Sequence, residues 1–251
     1  MCWLMNKQPV YYMQTDPRWK NKPYRVTGED TTIGDSGCGT TCAAMLIETL
    51  TGKTFTPVDA AEWSMKRGYK ALRQGTYYSY FVPQFQAFGI KCERLNTSNI
   101  YGNSGHSAHA KAFEMLKQGY YIIACMGKGK WTSSGHYIVV WWEDGKVRIN
   151  DPYSKRADRL NGDLKTFKSQ VKYYWAVDAR KYNQEGDDMT KEEVIKIIQE
   201  YEAEKAKKSV SDWAKSSWTK AKSKGIMDGT APHKNATREQ IAAILDRLGL
   251  L

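Results

Sequence analysis

The chain has 251 residues, of which 41% are hydrophobic, 12% aromatic and 26% charged, with a formal net charge of +11. This balance fits a folded protein and excludes wholesale disorder or a fibrous repeat. The longest strongly apolar stretches, Tyr120–Met126 and Tyr137–Trp142, fall far short of the roughly 20 residues that span a bilayer, so no membrane segment is expected. Taken in chain order, Lys7 interrupts a very short apolar start, which argues against a signal peptide and for a cytoplasmic product or one exported without a cleaved leader. Helical periodicity appears at Cys38–Leu50, Pro57–Arg67, Phe81–Phe88 and His109–Gln118. Strand-like runs rich in Ile, Val, Tyr and Trp follow at Tyr121–Met126, His136–Trp142, Lys146–Asn150 and Lys172–Val177. Glu143-Asp144-Gly145 reads as the hairpin loop between the second and third of these. Helices first and a sheet later predict an α+β domain over residues 1–179.

Residues 180–189 are polar, contain Gly and lack periodicity, which reads as a linker. Beyond it, residues 190–251 form a small helical domain. Thr190 with Glu193, and Thr237 with Gln240, have the spacing of capping boxes, each opening an apolar-periodic run. Between them, Val210–Lys224 reads as one helix with Trp213, Trp218 and Ala221 on a shared face, both tryptophans belonging to a core, and Gly225 as its left-handed cap.

The basic excess is lopsided. Residues 1–185 carry 26 Lys and Arg against 16 Asp and Glu, whereas residues 186–251 carry 12 against 11. A basic surface draws a protein toward polyanions. No RNP motif, zinc finger or Gly-rich phosphate loop supports nucleic acid, which leaves the anionic wall of a Gram-positive bacterium, or simple solubilising charge. Five cysteines, odd in number and irregularly spaced, predict free thiols rather than a disulfide scaffold, and without a CxxC pair a zinc site is not expected.

The most informative stretch is Gly34-Asp-Ser-Gly-Cys-Gly-Thr-Thr-Cys-Ala-Ala-Met45. It puts Cys38 at the start of a helix, where the positive end of the dipole favours thiolate. The flanking glycines allow a tight turn and leave room for a substrate backbone. His136 begins a buried strand and Asp151 follows the next one. If the two strands form a hairpin, imidazole and carboxylate share one sheet edge, the nucleophile–base–orienter logic of a triad. Asn150 is the rival orienter. Period-two alternation lets only one of Asn150 and Asp151 face the histidine, and Asp151 is favoured. His106 and His109 read as solvent-facing or substrate-lining, His233 as local to the tail, Cys42, Cys92 and Cys125 as packing residues, and Cys2 as terminal.

Four ordered motifs then stand out: Tyr11-Tyr-Met-Gln14-Thr-Asp-Pro-Arg-Trp19, Gly-Asp-Ser-Gly-Cys38-Gly-Thr-Thr, Gly-His136-Tyr-Ile-Val-Val and Asn-Asp151-Pro-Tyr. Over residues 8–178 they resemble the C39-like branch of papain-like cysteine peptidases. The resemblance implies Cys38 as nucleophile, His136 as base, Asp151 as orienter and a glutamine in the oxyanion hole. Gln14 is the matching glutamine, yet it lies 24 residues before Cys38 rather than the few that separate the two in bacteriocin-exporter members. A polar residue closing the turn into Asp16-Pro17 is its alternative role. The tail, with Trp213-Ala, Gly225-Ile-Met-Asp-Gly229 and Thr237-Arg238-Glu, resembles an S-layer-homology-like module. That resemblance implies attachment to the bacterial cell wall, with Trp213, Trp218 and Arg238 as candidate contacts. So small a module buries little surface, so packing on the catalytic domain or pairing with a second copy as a homodimer is expected.

Together the two resemblances imply a bacteriophage endolysin. It would collect in the host cytoplasm, pass to the wall after holin-type release, and cut an amide bond in the peptide part of peptidoglycan. Endopeptidase cleavage is favoured over N-acetylmuramoyl-L-alanine amidase cleavage. A leader-peptide protease and a non-catalytic wall-binding protein on an inactive peptidase fold are the other readings. No metal or organic cofactor is called for.

Overall fold

The computed structural model describes residues 8–143, 145–160, 163–184 and 191–251. The chain forms two compact units, Met1–Gly186 and Asp187–Leu251. Cys2, the Asp144 turn position, Thr190 and residues 185–189 of the expected linker lie outside the described residues, and so do the side chains of Lys191, Glu192 and Glu193.

The first unit opens with α1 (Ile33–Ser36), α2 (Cys38–Thr51), α3 (Pro57–Lys66) and α4 (Phe81–Gln86). Then come β1 (Cys92–Arg94), α5 (Ser107–Lys117), β2 (Tyr120–Met126), β3 (His136–Glu143) and β4 (Lys146–Asn150). It closes with α6 (Ala157–Leu160), α7 (Leu164–Gln170), β5 (Val171–Asp178) and α8 (Arg180–Gln184). The five strands form one antiparallel sheet in the order β1-β5-β2-β3-β4.

Every residue of β2 is buried, and strand alternation explains why. Tyr121, Ile123 and Cys125 join the core that contains Cys42, Met45 and Leu46 of α2. Ile122, Ala124 and Met126 face the other way, into the core that contains Ala112 and Leu116 of α5 and Phe167 of α7. β3 divides likewise, with Tyr137, Val139 and Trp141 on the α2 side and Ile138 and Val140 on the α5 side. A sheet covered on both faces needs continuous apolar strands rather than alternating ones. Fully burying side chains the size of Met45 or Leu46 stabilises the unit by about 1.5–3 kcal/mol each.

Local chemistry sets the helix ends. Thr56 and Asp59 make a reciprocal capping box with Pro57 at the first helical position of α3. Gly52 ends α2 at φ +66°, its N–H donating to the Glu48 carbonyl. Residues 180–184 of the expected linker are helical. Asp178 accepts from the Arg180 N–H and guanidinium and so caps the strand-to-helix corner. The short elements α1, β1, α6 and α7 carry too few residues for a periodicity to show.

In the second unit α9 (Lys191–Lys207) is followed by a 3-10 turn at Asp212–Ala214, α10 (Lys215–Ser223) and α11 (Arg238–Arg247). The single helix expected over Val210–Lys224 is thus a 3-10 turn joined to a shorter α-helix. Gly225 does sit at φ +67°, with the Ile226 N–H reaching the Ala221 carbonyl. Thr237 and Gln240 form a reciprocal box at the start of α11. No residue described in this unit is buried, and Trp213 is 88% exposed. The expectation that both tryptophans are core residues therefore fails: Trp213 stands in solvent and Trp218 is half-buried.

Candidate active site

Gly37 lies between α1 and α2, and its carbonyl accepts the Thr41 N–H at 2.9 Å, so Cys38 is the first residue of α2. The glycines serve the protein's own packing more than a substrate. A Cβ on Gly37 would meet the Ile33 carbonyl at 2.6 Å, and one on Gly39 would meet Thr76 Oγ1 at 2.7 Å. The expected room for substrate at these positions is filled by the fold itself. Cys38 is 9% exposed.

His136 starts β3 and Asp151 follows β4. Their antiparallel pairing, with Val139 opposite Asn150, puts both side chains at one end of the sheet. His136 Nε2 lies 2.7 Å from Asp151 Oδ1. This leaves Nδ1 as the nitrogen available to Cys38, whose thiol lies close enough to the ring for the two groups to shift each other's pKa. Asn150 turns the opposite way, accepting from Trp141 Nε1 at 3.2 Å and donating to the Pro9 carbonyl at 3.4 Å. Alternation along β4 thus separates the two candidate orienters.

Burial alone would raise the Cys38 thiol pKa. It is overcome by the hydrogen bond and charge of His136 and by the Tyr137 and Gly39 backbone N–H groups, so the pKa is lowered. Burial alone would likewise depress His136, but the hydrogen bonds to Asp151 and Cys38 raise it to about 9. Both shifts favour the thiolate–imidazolium form of the pair. Its neighbours are not activated: burial pushes Cys42 well above the ordinary thiol range and Cys125 to about 12. Cys38, Cys42, Cys92 and Cys125 are all free thiols.

Asp151 is fully buried and further engaged. Its Oδ1 accepts the Tyr153 N–H at 2.8 Å and its Oδ2 accepts Arg159 Nη1 at 3.3 Å. Arg159, on α6, was not visible as a functional residue in the sequence, because a cation eight residues after an aspartate has no pattern to mark it. Gln14 is 3% exposed, and its backbone N–H donates to the Pro152 carbonyl at 2.8 Å. Its side-chain Nε2 donates to the Gly34 carbonyl at 2.8 Å, while Oε1 is buried without a partner. Gln14 also occupies the turn into Asp16-Pro17, which the Asp16 N–H closes by donating to the Met13 carbonyl at 3.1 Å. The second N–H of the Gln14 amide is not used in the Gly34 bond.

Two arms of one groove meet at Cys38 and His136. The larger, about 830 Å³, is lined by Gln14, Asp35, Lys128, Trp131, Tyr153 and Arg159 among others. The smaller, about 450 Å³, runs past Thr76, Tyr78, Tyr137 and Lys172. Neither His106 nor His109 lines them. His106 caps α5, accepting the Ala108 N–H, and His109 is buried between the Tyr174 hydroxyl and the Asn103 carbonyl. The solvent-facing or substrate-lining reading of His109 is thereby corrected: a polar ring on the inner face of α5 is buried once its two nitrogens find partners. Among the described residues, no cluster of three or more His, Cys, Asp or Glu could hold a metal ion.

Residues 10–183 match the model of the Peptidase_C39 like family. The chain belongs to that family. It is also similar in structure to a candidate C39-like peptidase from Bacillus anthracis, at 14% identity and a TM-score of 0.40, over 69% of this chain and 99% of that one. No curated protein matches it. Membership of this family supports a cysteine peptidase, and the matched residues contain the whole Cys38–His136–Asp151 cluster.

Proposed function

We propose that the protein is a peptidoglycan hydrolase of the endolysin kind, in which Cys38, His136 and Asp151 cut an amide bond in the peptide part of the bacterial wall. The observation that carries the chemistry is the imidazole held between Asp151 at 2.7 Å and the Cys38 thiol, at the meeting of two groove arms. The Cys38 thiolate attacks the amide carbonyl. The Gln14 amide and the backbone N–H of Cys38 donate to the oxyanion. The His136 imidazolium then protonates the leaving amine, and water assisted by His136 releases the acyl group from the thioester. Asp151, tied by the Tyr153 N–H and Arg159, keeps the ring oriented through both steps.

The wall as substrate is favoured by the basic excess of the first unit and by the exposed Trp213 and Arg238 of the second, which suit a polymer surface. On this reading the enzyme acts from the host cytoplasm once released to the wall, and the second unit binds wall polymer, alone or as a homodimer. Turbidity of bacterial suspensions tests it. Wild type should clear them and Cys38→Ala should not, while both still sediment with walls. Equal lysis by both would remove Cys38 from the mechanism. Mass analysis of the fragments then separates endopeptidase cleavage from cleavage at the sugar lactyl amide.

A further inference from the structure

One residue of the groove lies in a backbone conformation that its side chain does not favour. Arg73 is at φ +55°, the left-handed region that costs a residue with a Cβ free energy. It is on the rim where the two arms meet, lining both. The turn that presents it is anchored from below. Lys70 and Glu29, with side chains 0% and 3% exposed, pair at 2.6 Å. Lys70 Nζ also donates to the Ala71 and Gln74 carbonyls, at 2.8 and 2.6 Å. The second Glu29 oxygen accepts the Arg73 N–H at 2.6 Å. The buried ion pair thus fixes the backbone of residue 73 and leaves the side chain outside.

That side chain is exposed and has no carboxylate partner among the described residues. Other cations flank it. Lys172 lines the smaller arm together with Tyr78, and Lys128 lines the larger, where Arg159 is already paired with Asp151. Against these, the described lining of the smaller arm holds no Asp or Glu. The larger holds only Asp35, whose carboxylate already accepts from the Thr32 N–H and hydroxyl. Both arms therefore present positive charge to a peptide laid across Cys38, with Arg73 nearest their junction. A guanidinium is the side chain best shaped for two-point contact with a carboxylate.

We infer that Arg73 is a specificity-determining residue that, with Lys172, selects peptides carrying a carboxylate close to the scissile bond. This rests on the peptidase reading of the same site and adds its substrate class, an acidic peptide. Glycine is at ease at positive φ, so Arg73→Gly removes the cation without straining the turn. The probe is a set of internally quenched peptides in which Glu, Gln or Lys is scanned through every position. Wild type should prefer Glu over Gln at one position by roughly tenfold in kcat/KM. That ratio should fall toward one in Arg73→Gly, turn toward Lys in Arg73→Glu, and shrink with added salt in wild type. Equal cleavage of the Glu and Gln peptides by wild type, or a preference that survives in Arg73→Gly, overturns the inference and leaves the peptidase standing. If no peptide is cut, soluble wall fragments before and after carbodiimide amidation of their carboxylates give the same comparison. Absence of hydrolysis there too overturns the peptidase reading and this inference with it.

Discussion

The two units use the same local signals to different ends. Both open helices with a threonine box, Thr56 with Asp59 on α3 and Thr237 with Gln240 on α11. Yet α3 buries Ala60, Ala61 and Ser64, whereas α11 buries nothing. Among the described residues, only the first unit surrounds its helices with a covered sheet, and its long-range side-chain pairs, such as His136 with Asp151, are buried, whereas those of the second unit, such as Lys205 with Asn235 at 3.2 Å, are exposed. A cap starts a helix, but a catalytic geometry needs a core.

The largest effect expected is on chemistry in the packed unit. Cys38→Ala should lower hydrolysis by roughly 10,000-fold or more with the fold intact, read by fragment release and circular dichroism. Asp151→Asn should lose roughly 100- to 10,000-fold, because a neutral amide neither offsets the imidazolium charge nor holds the ring in its working tautomer. A small loss there would mean that Tyr153 and Arg159 are not holding a working carboxylate.

Next comes the anchor beneath the groove. Lys70→Met leaves Glu29 buried without its cation and should cost about 3–5 kcal/mol in denaturant melts of the whole chain. Acidity offers a finer probe. His136 is raised to about 9 and Cys38 is lowered, so activity should hold between the two and fall above about pH 9 as the imidazolium loses its proton. The same upward shift contributes stability that is complete below the ordinary histidine value and disappears as pH rises through about 9. A kcat/KM profile that falls near pH 7 instead would break the ion-pair description.

The smallest effect sharpens the contrast between units. Trp213→Ala should change stability by no more than about 0.5 kcal/mol, since the ring is in solvent, while reducing sedimentation with walls. The reverse result, a lower melting temperature with wall binding kept, would show the ring packed after all.

Much of this was readable in advance, for identifiable reasons. The runs at Cys38–Leu50 and Pro57–Arg67 became α2 and α3 within a residue or so, and all four strand runs became strands, because long apolar periodicities dictate which face is buried. Asp151 was separable from Asn150 because a strand alternates. His109 was misplaced because a histidine carries no sign of whether two partners await it inside. The Glu29–Lys70 pair and the left-handed Arg73 that it anchors left no trace, since both depend on segments more than 40 residues apart, and Arg159 left none because a cation eight residues after an aspartate has no pattern to mark it.

The sequence by itself determined the longer elements of the first unit, their buried faces and the order of thiol, imidazole and carboxylate, all of which follow from local propensity and period. Only the tertiary structure decided that His136 turns Nε2 to Asp151, that the helix-start glycines make room for Thr76 and Tyr137 rather than for substrate, and that a buried ion pair sets an arginine over the groove. Those contacts span from 15 to nearly a hundred residues, and no local pattern encodes which distant groups a close-packed core will bring together.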